Sequence, residues 1–443
     1  MTTTQENKIR LKKGEIIYYL LVFFSIFLFF FIVHPLYVFD SDDWGNMVLR
    51  RSLLPVISYF NPSKVLPEFL YSFVSLFGAK IIYPITGDYI KSLGLIYSFV
   101  YSLFIIFNVI CIEYFIKYVS FNNSENKENK AHIIHAISSI ILLAFFYLGK
   151  DGRYLLHEVN VTCIFHYSIP ALLNISVVLL LITLEKRNRQ LLCFDEPYKN
   201  VILSISLYLC IFSNLFFSSI LLSYIVSLLT INFFFQLKSQ HVINIKKIIT
   251  LYLRQNYQYM VVIFMWIISA YFESKGGRAK IGLNNSVSLE SIWNSVSFFF
   301  KVTLHSIAFR KLTFLALGLI ILANIRVVFL YISKRFSFAD RKFLSIQLVC
   351  FWMTLFIVTY QIMLTIKTGI GYQSRSSLIL SWSIWILLEI AISYLYIASL
   401  LPKFNIILPF IIINIFLNIF FFNSGGGGSL KKLVLHRNLC HIW

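Results

Sequence analysis

The chain has 443 residues, of which 58% are hydrophobic and 13% are charged. A soluble domain carries about 25% charged residues, so the composition excludes a soluble globular protein and indicates a membrane protein with many helices. A net charge of +20 often accompanies nucleic-acid binding. Here the Lys and Arg residues fall between apolar segments and form no stripe, which excludes a nucleic-acid partner. This placement indicates that the basic residues set the orientation of the spans and contact anionic membrane lipids.

The apolar segments predict an all-α, polytopic membrane fold with about 11 transmembrane helices. Segment 201–235 is too long for one crossing, so we interpret it as a helical pair that turns near Ser213–Asn214. The predicted spans, in chain order, are 16–33, 93–115, 133–148, 165–184, the pair within 201–235, 261–272, 312–332, 345–366, 378–400 and 406–422.

The positive-inside rule sets the orientation of these spans. Several Lys and Arg residues precede the first span and place the N-terminus on the cytoplasmic side, where the short basic loops 185–190 and 333–342 then also fall. No small-residue cleavage site follows the first span, which predicts a retained anchor. Residues 1–422 are interpreted as one membrane domain, and the segment 423–443, which begins with a Gly-Ser run, as a linker and tail without a structural role.

The first outer segment begins with the sequence VFDSDDWGNM. We expect Asp40, Asp42 and Asp43 to emerge at the far face of the membrane, where ionisable groups are often functional. Adjacent carboxylates repel each other, which favours proton uptake by one of them, as a general base requires. The alternative is that these residues cap a helix that begins near Trp44.

The rest of this segment, up to Asp88, is punctuated by Pro55, Pro62 and Pro67. These residues predict short helices that lie along the membrane interface. Its charged side chains are candidates for contact with a polar or anionic substrate, since Arg binds phosphate through a planar fork; ordinary headgroup contact is the alternative. These charged candidates are Arg50, Arg51, Lys64 and Glu68.

Three later outer segments also carry candidate side chains. His157, Glu158 and Asn160 lie at the lip of a span and suit hydrogen bonding to a polar substrate, while no third ligand at metal spacing accompanies them. Arg278 lies in the loop ESKGGRAKIG, whose two glycines would let it close over an anion, although the loop lacks the end of a Walker motif. Arg375, in GYQSRSS, is expected at the depth of a lipid phosphate. Simple placement in solvent or at the interface is the alternative for each.

Ionisable residues are rare within the predicted spans. Arg326 and Glu389 stand out, and both are expected near the inner ends of their helices, where a long side chain reaches the interface. The six cysteines show no CxxC or His-paired spacing, so neither a disulfide framework nor a structural metal is predicted.

The motifs FDSDDWGNM, NPSKVLPEFLY, HEVN with HYSIP, and SRSS resemble the GT-C superfamily of polytopic glycosyltransferases. The closest likeness is to the bacterial and phage serotype-converting enzymes that add a glucosyl branch to O-antigen. This resemblance implies an inverting hexosyltransferase in the bacterial inner membrane, with its active site facing the periplasm and no cofactor. It implies a polyprenyl-phosphate sugar as donor, and a lipid-linked polysaccharide or lipopolysaccharide as acceptor.

The resemblance also implies roles for individual residues. The base in this family is an acidic residue of the first outer loop, which corresponds here to Asp42 or Asp43, with Asp40 less favoured. A basic residue late in the chain meets the donor phosphate, which corresponds to Arg375. The leaving phosphate is already ionised and needs cations around it; further candidates for that contact are Arg278, Arg50 and Lys64.

Two other functions fit the same spans. An O-antigen polymerase also has many spans and basic outer loops, but it does not require an acidic cluster after the first helix. A lipid-linked sugar flippase or transporter would favour charged residues buried midway along several spans.

Overall fold

The structure is a computed structural model of the chain. It describes residues 13–49, 51–119, 127–146, 154–158, 160–184, 196–239, 252–282, 288–306, 321–330, 332–333, 335, 337–368 and 375–400. These residues form helices and no strand, which confirms the predicted all-α fold.

The helices are numbered in chain order. They are α1 (Lys13–Leu28), α2 (Ser41–Met47), α3 (Val65–Phe77), α4 (Tyr89–Val119), α5 (Lys127–Phe145), α6 (Ile169–Leu184), α7 (Pro197–Ile211), α8 (Leu215–Ser239), α9 (Tyr257–Lys275), α10 (Gly277–Gly282), α11 (Leu289–Ser306), α12 (Ile321–Leu330), α13 (Phe338–Thr368) and α14 (Ser376–Leu400). Wider π-helical turns extend α1 through Phe29–Val33 and α3 through Gly78–Ile82 to Tyr83–Thr86, and α6 is preceded by Val161–Cys163 and Ile164–Ser168.

Among the described residues, six helical segments are long and apolar enough to cross a bilayer. Five coincide with predicted spans: Gly14–Val33, Tyr89–Val119, Val161–Leu184, Asp340–Ile366 and Ser376–Ile397. The sixth, Val65–Thr86, lies in the first outer segment. Shorter apolar helices overlap four further predicted spans, and 406–422 lies outside the described residues. The fold is that of a multi-pass membrane protein, and the predicted total of about 11 spans is not confirmed.

The first outer segment has fewer and longer helices than its prolines suggest. Residues 51–64, which include Pro55 and Pro62, form an irregular stretch, and a continuous helical segment then runs from Val65 to Thr86. Pro67 does not interrupt it because Pro is tolerated in the first turn of a helix, where the backbone N–H has no intrahelical partner. The predicted set of short helices is therefore wrong in this part of the segment.

The chain divides into two compact units. The first comprises Met1–Ile112, Glu158–Ile225 and Phe235–Asn284, and the second comprises Glu113–His157, Val226–Phe234 and Asn285–Trp443.

The core of the first unit forms where α3, α4 and the π-helical turn before α6 meet. The rings of Tyr71, Tyr97 and Phe165 pack with centroids 4.8 to 5.6 Å apart, and all three are buried. Gly94 lets the chain after α1 approach α4 closely, since a Cβ there would lie 3.0 Å from the carbonyl oxygen of Leu36. These contacts fix the chain that leads from α1 into α2.

The predicted break near Ser213–Asn214 is confirmed, because α7 ends at Ile211 and α8 begins at Leu215. The Asn214 Oδ1 accepts a hydrogen bond from the Phe216 amide at 3.0 Å, and its Nδ2 donates to the His166 carbonyl oxygen at 2.9 Å. The backbone groups freed by the break are thus partly satisfied inside the protein, as a helix end buried among apolar side chains requires.

In the second unit, α13 and α14 pack along much of their length. Polar side chains bridge them: Gln361 donates to Ser381 at 2.6 Å, and Gln347 donates to Ser393 at 2.8 Å. Phe343 stacks on Tyr396 with ring centroids 4.2 Å apart. Hydrogen bonds of this kind link helices where apolar burial alone gives little driving force.

Candidate functional site

Asp40 starts α2 as its N-cap. Its Oδ1 accepts hydrogen bonds from the Asp42 amide at 3.4 Å and from the Ser41 hydroxyl at 3.1 Å. These bonds, with the Asp42 amide the larger cause, lower the pKa of the Asp40 carboxyl below its ordinary value. The capping interpretation therefore describes Asp40, although the helix begins at Ser41 rather than near Trp44.

Asp43 is fully buried, and its carboxylate links two backbone segments, residues 39–40 and the chain at Thr162. Its Oδ1 accepts a hydrogen bond from the Thr162 amide at 2.8 Å. Its Oδ2 faces the amides of Phe39 and Asp40, at 3.3 and 3.4 Å, which completes a capping box with Asp40. The Tyr71 hydroxyl donates to the Asp43 carbonyl oxygen at 3.1 Å. Both carboxylate oxygens are thus occupied by the protein's own N–H groups.

Asp42 differs from its two neighbours. Its side chain is exposed, and its carboxylate accepts no hydrogen bond from the described part of the chain. Its backbone is held firmly, because its amide donates to Asp40 and its carbonyl oxygen accepts from the Asn46 side chain at 2.8 Å. The result is a free carboxylate on a fixed turn, which is the arrangement a general base needs.

Asn160 lies beside this turn, although it is 120 residues from Asp40 in the chain. Its Oδ1 caps the helical turn Val161–Cys163 by accepting from the Cys163 amide at 2.7 Å, and its Nδ2 lies 3.5 Å from Asp40 Oδ2. The structure therefore brings two predicted site residues together. Glu158, also in the first unit, is buried and interacts electrostatically with Tyr101.

Arg51 and Glu68 form a buried ion pair at the base of α3. The Arg51 Nη1 donates to Glu68 at 2.7 Å, its Nη2 donates to the Pro62 carbonyl oxygen, and its guanidinium lies 4.3 Å from the centroid of the Tyr59 ring. The Asn61 side chain donates to the second Glu68 oxygen at 3.0 Å. Both oxygens of Glu68 are therefore engaged within the protein.

Lys64 belongs to the same buried region. Its side chain is 5% exposed, and its Nζ lies 5.6 Å from the centroid of the Tyr167 ring. Burial of a lysine is unusual and requires compensating groups nearby. The Glu68 amide, one turn along α3, donates a hydrogen bond to the Lys64 carbonyl oxygen at 3.3 Å, which keeps the two residues at the same end of the helix.

The loop ESKGGRAKIG, residues 273–282, packs directly on this region. The Glu273 carboxylate accepts from the Ser63 amide at 3.1 Å, and the Arg278 amide donates to the Phe60 carbonyl oxygen at 3.1 Å. Gly276 permits this contact, since a Cβ there would lie 2.4 Å from Pro62. The two glycines, which the sequence suggested would let this loop close over an anion, pack closely against Phe60 and Pro62, and Arg278 is placed beside the first outer segment.

The remaining predicted residues lie elsewhere. In the second unit, the Ser376 hydroxyl donates to the His157 carbonyl oxygen, so His157 lies next to the start of α14. Arg375 immediately precedes that helix, and its carbonyl oxygen accepts from the Leu378 amide at 3.1 Å. Arg50 lies outside the described residues. No group of three metal-binding side chains occurs in the described part of the chain.

Sequence reasoning missed two contributors to the site, Tyr71 and Thr162. Tyr71 supports α2 through its hydroxyl, and Thr162 holds Asp43 through its amide. A tyrosine in an apolar segment carries no signal that separates this role from core packing, and a backbone amide carries no residue-specific signal at all.

The helices define a multi-pass membrane protein with an exposed carboxylate on a rigid turn after its first span. Comparisons with models of protein families, with curated proteins and with solved structures give no match for this chain.

Proposed function

We propose that this chain is an inverting membrane glycosyltransferase of the GT-C type. It transfers a hexose, with glucose favoured, from a polyprenyl-phosphate donor to a surface polysaccharide such as O-antigen, on the periplasmic side of the bacterial inner membrane. The observation that carries the proposal is Asp42, an exposed carboxylate on a turn that Asp40 and Asp43 hold rigid.

In this proposal Asp42 acts as the general base. It takes the proton from an acceptor hydroxyl as the hydroxyl oxygen attacks the anomeric carbon of the donor. The bond between that carbon and the phosphate oxygen breaks, and polyprenyl phosphate leaves with the bonding electron pair. A single displacement inverts the anomeric centre. No cofactor enters this reaction.

Cations stabilise the leaving phosphate in this proposal. The close packing of Glu273–Arg278 on residues 59–63 supports Arg278 and Lys64 as candidates, because it gathers basic residues of two outer segments in the first unit. Arg375, to which the resemblance assigns contact with the donor phosphate, belongs to the second unit. Arg51 is not one, since its guanidinium is engaged by Glu68 and Pro62.

The substitution Asp42→Asn tests the assignment of the base. We expect transfer of labelled sugar from polyprenyl-phosphate glucose to lipopolysaccharide, measured in isolated membranes, to fall by roughly 10²- to 10⁴-fold. Asp88→Asn is the matched control: Asp88 is an exposed aspartate of the same outer segment that caps α4 through the Lys91 amide, and Asn keeps that capping ability. Full activity of Asp42→Asn would remove Asp42 as the base.

Lipopolysaccharide from a deletion strain separates transferase from polymerase. Loss of a side branch with normal chain length is expected, whereas shortened chains would indicate the polymerase.

A transporter of lipid-linked sugar is the second candidate, because two glutamates are buried within candidate spans. Glu113 is 0% exposed and Glu389 is 8% exposed, and intramembrane ionisable groups often mark transport pathways. Proteoliposomes that take up labelled lipid-linked sugar, without forming product when acceptor is present, would favour this function over transfer.

A further inference from the structure

Glu389 lies deep in the α13–α14 pair rather than at its end. It follows Ser376 by 13 residues and precedes Ile397 by 8 within the candidate span Ser376–Ile397. At 1.5 Å per residue these separations are about 20 and 12 Å. The expectation that Glu389 reaches an interface by extending its side chain is therefore wrong, since the residue is 8% exposed and enclosed by protein.

The polar groups around Glu389 are directed elsewhere. The Gln347 side chain donates to the Glu389 backbone carbonyl oxygen at 3.1 Å and to Ser393 at 2.8 Å, not to the carboxyl group. The buried Oε1 of Glu389 has no hydrogen-bond partner in the described part of the chain. The Cys350 thiol on α13 is also buried and interacts electrostatically with Glu389.

Charged groups on the neighbouring helices are committed to other partners. On α13, Asp340 accepts from the Ser337 amide at 2.7 Å and from the Tyr396 hydroxyl, and it interacts with Arg326. On α5, which also contacts α14, His135 lies 2.9 Å from Glu113. None of these contacts supplies a positive charge to Glu389.

An ionised carboxylate at this depth, without a cation or donor among the described residues, is strongly disfavoured, whereas a neutral carboxylic acid is tolerated. We propose that Glu389 is a proton-binding site within the membrane, whose ligand is a single proton carried on the carboxyl group. Ser393 and Tyr396 follow it at i+4 and i+7 on the same helix face, and the Tyr396 hydroxyl donates to Asp340 at the start of the candidate span Asp340–Ile366.

A hydrophobic carbodiimide tests this proposal. Dicyclohexylcarbodiimide reacts with a protonated carboxyl group in apolar surroundings: the acid adds across one C=N bond, and the acyl group then migrates from oxygen to nitrogen to give a stable N-acylurea with no leaving group. Purified full-length protein in detergent would be treated across a range of pH, and the modified residue located by mass spectrometry. We expect modification of Glu389, with a rate that falls roughly tenfold per pH unit once the acid ionises.

Two controls make the result decisive. Glu389→Gln, shown to be folded by its thermal unfolding, should lose the modification. Glu290, which is exposed, should be modified by a water-soluble carbodiimide together with an added amine. Glu389 should not react with that reagent. Absence of modification at Glu389 at every pH in folded protein would overturn the proposal, as would equal reaction with the water-soluble reagent. Protection by Na⁺ at constant pH would also overturn it, by showing that the ligand is a metal cation.

Discussion

At the residue scale, three aspartates within four positions have three different surroundings. Asp40 caps a helix, Asp43 is buried among backbone amides, and Asp42 is exposed. The chemistry available to each follows from its contacts: a carboxylate whose oxygens already accept hydrogen bonds from the protein stabilises the fold, whereas one without such partners is available to a substrate hydroxyl.

We predict that Asp43→Ala destabilises the protein by about 1–3 kcal/mol, because it leaves the buried amide of Thr162 without its acceptor. The measurement is thermal unfolding of purified protein in detergent. Asp42→Ala is the matched comparison and should unfold within about 0.5 kcal/mol of the parent. Equal destabilisation by the two substitutions would contradict the assigned difference between them.

His34, just beyond the candidate span Gly14–Val33, predicts a pH dependence of stability. Burial lowers the pKa of His34 below its ordinary value of 6.5. As pH falls through 6.5, the unfolded chain therefore binds a proton that the folded chain does not. The contribution of this residue to the free energy of unfolding is thus fully present above that pH and declines below it, until His34 itself is protonated.

Comparison of melting temperatures between about pH 7.5 and 5.5 tests this sign, since the range brackets the ordinary histidine pKa. The parent should lose more stability across the range than His34→Gln does. Identical slopes for the two proteins would show that His34 does not contribute.

At the element scale, the contact between the two outer segments depends on Gly276. We predict that Gly276→Ala costs about 1–3 kcal/mol, because the added Cβ would meet Pro62 and the Phe60 carbonyl oxygen. Gly14→Ala is the control, since a Cβ at Gly14 has nothing within 4 Å. Unfolding temperatures of the two variants give the comparison, and a Gly276→Ala protein as stable as Gly14→Ala would show that the contact is loose.

The sequence was sufficient for most helices but not for the helical segment Val65–Thr86. Apolar length reveals spans because a bilayer imposes that length, and polar Ser213 and Asn214 within an apolar run revealed the break between α7 and α8. Pro67 suggested an interruption, whereas its position in the first turn permits a continuous helix. The division of roles between Asp42 and Asp43 could not be predicted, because it depends on Thr162, 119 residues away from Asp43.

At the scale of the whole molecule, the placement of Val65–Thr86 decides the orientation of the helix that follows. The segment is long and apolar enough to cross the bilayer. It also carries two charged residues, Lys80 and the buried Glu68. The hydroxyl groups of Tyr71 and Ser72 donate to backbone carbonyl oxygens of α2 and hold the segment beside that helix. We predict that it lies along the outer interface, since apolar side chains such as Phe73 and Leu76 are exposed while its polar end is held by the outer segments.

Single cysteines on the two sides of this segment test the prediction. Ser41→Cys and Ile85→Cys, both at exposed positions, should react with a membrane-impermeant maleimide in intact spheroplasts. Arg335→Cys, in the loop predicted to be cytoplasmic, should react only after permeabilisation. Labelling of Ile85→Cys only after permeabilisation would show that Val65–Thr86 crosses the bilayer. The Arg278 amide contacts the Phe60 carbonyl oxygen, which precedes this segment, so the two share a face of the membrane in either case. A crossing by Val65–Thr86 would therefore require an odd number of crossings between Thr86 and Arg278 instead of the predicted six.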